Sequence, residues 1–77
     1  MLKIPDKFAK ELAAKPETGM GYQIVNIVLK DGRQFKQVAV IQSNVIGQIR
    51  GLKGTPFKEE DIDQIVLTHE KWDFSKE

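Results

Sequence analysis

His69 is the only histidine of the chain, and it stands between Thr68 and Glu70 with Asp73 close behind. Such a neighbourhood suits a general base or a metal ligand. A zinc site, however, needs three or four converging ligands, and one histidine with scattered carboxylates falls short of that. The simpler reading is a surface or half-buried histidine on a strand. Glu59, Glu60 and Asp61 form a second cluster, of the type that serves as an acid pair or a cation site. Two carboxylates working on a sugar must flank a cleft, and a small domain has little room for one. Three acids at the front of a helical turn are expected from the helix dipole alone. Ser43 and Ser75 are the only serines, and neither lies in the Gly-x-Ser-x-Gly turn of a nucleophile elbow. The absence of cysteine removes disulfides, thiolate metal sites and thiol nucleophiles together. These residues predict no enzyme, no metal and no cofactor.

Binding chemistry leaves more candidates. The segment from Gly47 to Gly54 carries three glycines with Arg50 and Lys53. It lacks the Gly-Lys-Ser/Thr ending of a phosphate loop and reads as a basic loop. Lys30, Arg33, Lys36, Arg50 and Lys53 would form an anion or nucleic-acid patch if the first hairpin and this loop share a side, with Tyr22 or Phe35 as a stacking ring. A second candidate surface is apolar. Tyr22, Ile24, Val38 and Val40 fall on one side of the strands, and Trp72 and Phe74 alternate onto one face near the C-terminus. Aromatic residues of this kind concentrate where proteins meet.

Twelve Lys and Arg against eleven Asp and Glu leave a formal charge of +1. That balance gives no global attraction to nucleic acid or to a membrane surface. With 77 residues, 40% hydrophobic and 30% charged, the chain reads as one globular domain, residues 1–77. No apolar run approaches the ~20 residues that span a bilayer, nor the h-region of a secretory signal. A cytoplasmic location is the expectation. A protein partner or a second copy is the expected ligand, with nucleic acid the alternative and no small-molecule substrate.

The elements that would carry these residues follow from pattern. Residues 4–15 read as a helix: Pro5 opens it, Asp6 meets the dipole, Phe8 and Leu12 share a face, and Pro16 ends it. Residues 20–74 read as a barrel. Within it, Tyr22 to Leu29 and Gln34 to Ile41 are strand-like runs around a Lys30-Asp31-Gly32-Arg33 hairpin signal. A three-residue loop with Gly32 in the left-handed conformation pairs Ile27 with Phe35. It also gathers Val25, Ile27, Leu29, Phe35, Ala39 and Ile41 on one face. The reverse face, with Tyr22, Ile24, Val28, Val38 and Val40, is too apolar for water, so the helix or another subunit is expected to cover it. Ser43-Asn44 turns the chain into a third strand, Val45 to Arg50, where Gly47 marks a bulge that curls the sheet. Thr55 and Pro56 predict a helical turn over 56–61, followed by a strand from about Gln64. Trp72 and Phe74 belong to a further short strand or an ordered tail. The fold class expected is α+β, mostly β: a small, partly closed antiparallel barrel with an N-terminal helix.

That layout resembles the SH3-like and Sm-like small barrels. Ile27-Val28-Leu29-Lys30-Asp31-Gly32-Arg33-Gln34-Phe35 is similar to the opening of the Sm signature, in which spaced apolar residues bracket a Gly turn, and a helix before the first strand is also an Sm-like feature. The later part departs. Gln37 stands where that family carries a second Gly, and Gln42-Ser43-Asn44 offers an Asn out of register with the family's RNA pocket. Arg50-Gly51 echoes its Arg-Gly pair too early. The resemblance covers residues 27–35 and implies a barrel that binds protein or nucleic acid.

Overall fold

The computed structural model describes residues 2–72. Five strands, one helix and one 3-10 turn follow in the order β1 (Leu2–Lys3), α1 (Asp6–Ala13), β2 (Tyr22–Leu29), β3 (Gln34–Ile41), β4 (Val45–Ile49), the turn Glu59–Asp61, and β5 (Ile62–Leu67). They form one sheet ordered β1-β4-β3-β2-β5, antiparallel at every junction. The result is a curled half-barrel, mostly β, with the helix inside the curl.

The β2–β3 hairpin adopts the register expected from parity. Ile27 pairs with Phe35, the Leu29 N–H donates to the Arg33 carbonyl, and Gly32 has φ +92°. Only glycine reaches that backbone region without strain. Asp31 stiffens the turn, its carboxylate accepting from the Arg33 N–H at 3.0 Å and from Arg33 Nε at 2.9 Å.

Beyond Phe35 the face assignment must be corrected. Val25 pairs with Val38, whereas Ile27 pairs with Phe35, so β3 carries one extra residue between them. The surplus lies at Lys36-Gln37, and Gln37 takes φ +53° to accommodate it. Such a bulge reverses the alternation of everything after it. Val38 and Val40 therefore join Phe35 on the inner face, fully buried in the core, while Ala39 and Ile41 turn to the reverse face. The same device recurs twice. Gly47 is the surplus residue of β4, between the Val40–Ile46 and Ala39–Gln48 pairs, as its sequence position suggested. Asp63 is the surplus residue of β5, between Val28–Gln64 and Leu29–Ile62. Three bulges in one small sheet add twist and bend.

The core fills the inside of the curl. Val25, Ile27 and Leu29 of β2 meet Val38, Val40, Ile46 and Ile49, with Ile62 and Phe57 closing one side. From the helix come Phe8 and Leu12, four residues apart on one face, joined by Ile4. The helix thus covers the inner face, not the reverse face. It is also shorter than expected. Residues 2–3 pair with β4 as a strand, and Pro5 stands one place before the helix, its carbonyl accepting from Phe8 and Ala9. The second helical segment is likewise only Glu59–Asp61. Lys58, not Thr55, stands at its N-cap, the Asp61 carboxylate reaching back to accept the Lys58 N–H at 2.9 Å, and β5 begins directly afterwards at Ile62.

Candidate interaction surfaces

Sheet edges are the first candidates, because an unpaired strand presents a row of N–H and C=O groups ready for another chain. β5 is the last strand of the order, so one of its sides meets no other strand among the described residues. The direction of its amides follows from one bond. Thr68 N–H donates to the Ile24 carbonyl at 3.0 Å, and Val66 pairs with Asn26 two residues earlier. By the two-residue alternation of an antiparallel ladder, Val66 faces inward to β2, while the amides of Ile65 and Leu67 face outward. Val66 is 49% exposed, and Asp63 and Gln64 are exposed beside it. At the opposite border β1 covers only Val45 and Ile46 of β4. Alongside Ile46, Gly47 and Gln48 lies a groove of about 380 Å³, bounded by Leu2 and by Gly54, Thr55 and Phe57.

The apolar candidates divide. Val38 and Val40 are core residues and present no surface. Ile24 lies on the reverse face but is fully buried. Tyr22 is half-buried and pairs with Ile41 on that face. Its ring lies so close to Gly19 that a Cβ there would clash with it. Trp72 is half-buried, and Phe74 lies outside the described residues. The exposed apolar side chains that the sequence did not single out are Met20, Leu52 and Val66. Met20 is 98% exposed, at the tip of a turn tied by Gly19–Tyr22 backbone bonds.

The reverse face has a cover that pattern reading missed. After β5, the N–H groups of Thr68 and His69 donate to the Ile24 carbonyl, and the Gln37 amide then donates to the carbonyls of Glu70, at 3.1 Å, and Lys71. To pass from the border of β2 to the β3 bulge, residues 68–72 must run across the reverse face, since the inner face is occupied by the core.

The basic candidates do not form one stripe of free cations. Arg33 is held by Asp31, and Arg50 donates to the Gln37 side-chain oxygen at 2.7 Å. That bond brings Arg50 to the bulge next to Lys36, while Lys30 and Arg33 stay at the β2–β3 turn and Lys53 stands exposed in the loop after β4. Phe35 packs on Phe57 with ring centroids 5.0 Å apart and offers no open stacking platform.

His69 is exposed but engaged. Its Nδ1 shares a 2.6 Å hydrogen bond with Thr18 Oγ1, which also accepts the Ile24 N–H at 2.9 Å. Asp73 and Ser75 fall outside the described residues, and Ser43 donates to the buried Gln23. Among the described residues no three His, Cys, Asp or Glu side chains converge as a metal site would require. No helix among them is long and apolar enough to cross a membrane. Comparison with protein-family models, with curated proteins and with solved structures found no match to this chain.

Proposed function

We infer that this protein is a non-catalytic interaction module on an SH3-like half-barrel, which takes a strand from another polypeptide onto its open β5 edge. A second copy is the partner its sequence suits best. The carrying observation is the outward side of β5, a six-residue strand that meets no other strand there among the described residues. Strand addition to such an edge gains main-chain hydrogen bonds, while side chains set specificity. An antiparallel register centred on Ile65 sets Ile65 against its own copy, Gln64 against Val66, and Asp63 against Leu67. No two like charges then face each other. In support of the SH3-like and Sm-like reading, Gln37 adopts the left-handed backbone at the position where the Sm signature carries Gly.

Amide hydrogen exchange measured across a concentration series tests the reading. In the dilute chain, Ile65 and Leu67 exchange freely and Val66 is protected by β2. On association the first two become protected while Val66 changes little. If Ile65 and Leu67 exchange equally fast at every concentration, and the mass by light scattering stays that of one chain, the reading fails.

A further inference from the structure

Ile24 and Ala39 are the only buried hydrophobic residues among those described that stand outside the main core cluster. They pair side by side on β2 and β3, on the face turned away from the helix, and are 0% and 1% exposed. The segment fastened across that face is 68–72. Next to Ile24 on the same face is Asn26, whose Oδ1 is buried without a hydrogen-bond partner, an unusual state for a buried acceptor.

We propose that residues 68–72 are a displaceable strap, a cover that opens as a unit and uncovers the apolar reverse face without unfolding the barrel. Its fastenings differ in kind from those of the sheet. Where it leaves β5, two backbone N–H groups share one acceptor, the Ile24 carbonyl. Farther along, it is held by side chains, through the Thr18–His69 bond and the Gln37 amide, with the half-buried Trp72 engaged at its end. Segments held by solvent-exposed hydrogen bonds open at lower cost than core strands. Gln37 is the catch. It sits in a backbone conformation unfavourable to any side chain but glycine, and its side chain ties the strap to Arg50 as well.

This geometry allows a substitution that separates the catch from the fold. Gln37→Gly removes the amide while giving the bulge the residue that its φ favours. The single tryptophan, Trp72, reports on the strap directly. In the full chain at monomeric dilution, Gln37→Gly is expected to keep or raise the melting temperature. Trp72 emission should shift to the red, and its quenching by acrylamide should rise toward that of the denatured chain. In the unaltered protein, exchange of the Thr68 and His69 amides should be faster than that of Val66 and independent of low concentrations of denaturant, the signature of local opening. Unchanged Trp72 emission and quenching in a folded Gln37→Gly chain would overturn the proposal. So would Thr68 and His69 amides that exchange only through global unfolding. Both readouts are independent of association at β5, so either idea can fall alone.

Discussion

At the scale of single residues, Gln23 contributes most that the sequence conceals. It is 1% exposed, and its amide nitrogen donates to the Leu12 carbonyl at 2.8 Å and reaches those of Lys15 and Pro16. Leu12 lies in the last turn of the helix, where its carbonyl also accepts the Lys15 N–H, and Lys15 and Pro16 follow the Ala14 cap. The Gln23 oxygen accepts from Ser43 Oγ at 2.8 Å, so one side chain ties the helix end to the β3–β4 turn. In the sequence it is merely a polar residue opening an Ile- and Val-rich run. Gln23→Leu keeps the bulk and strands these groups, and is expected to cost on the order of 2 kcal/mol, read as a lower urea midpoint at unchanged slope. Asp31 shows the opposite case, because Asp-Gly already announces a turn. The Arg33 N–H holds its carboxyl below the ordinary 3.8, with the Arg33 guanidinium assisting. A carboxylate with a lowered folded value stabilises fully above its unfolded value, and that support fades as pH falls through the folded one. A carboxyl NMR titration should place the Asp31 midpoint under 3.8, and Arg33→Ala, which keeps the N–H and removes the guanidinium, should raise it only in part.

Among the elements, legibility depended on whether a backbone feature has a residue signature. β2 and β3 run over the strand-like segments Tyr22 to Leu29 and Gln34 to Ile41 that the pattern marks, and Gly32 betrays its own turn. Gly47 likewise betrays a bulge, being the residue over which Ile41 lies; a Cβ there would stand 2.6 Å from Ile41 Cγ1. The bulge at Gln37 has no such mark, since a left-handed glutamine cannot be told from an extended one by type. From that single residue the inversion of Val38 and Val40 follows, and with it the loss of two supposed surface residues. β1 is too short, at two residues, to show any period, and the strap is written in bonds rather than pattern. The inversion carries its own prediction. Val40→Glu forces a carboxylate into a site with 0% exposure, a loss on the order of 4 kcal/mol against the roughly 3–5 kcal/mol that the core of so small a domain supplies. The variant should lose its near-ultraviolet circular dichroism and NMR dispersion. A surface residue so changed would keep both and only dissociate an assembly.

Taken as a whole molecule, the chain buries its core with one short helix, and among the described residues its sheet is open at two unlike borders. Their lengths decide how copies can meet. β5 presents six residues, whereas β4 beyond its contact with β1 offers only Gly47, Gln48 and Ile49. Pairing β5 with β4 of another copy is heterologous and continues into rings or filaments, while β5 with β5 is isologous and closes at two chains. The longer edge favours the closed form, so light scattering should plateau at twice the 8.8 kDa chain rather than climb with concentration. Gln64 and Val66 make this testable, since both are exposed and face each other in the register centred on Ile65. Gln64→Lys with Val66→Lys would set lysine against lysine across the two-fold axis. That chain should be monomeric at low salt and folded like the parent. A companion carrying Glu at both positions should be monomeric too, and mixing the two should restore a dimer of one chain of each kind. Lysine chains that still associate at low salt, or a mixture that stays monomeric, would place the contact elsewhere than along β5.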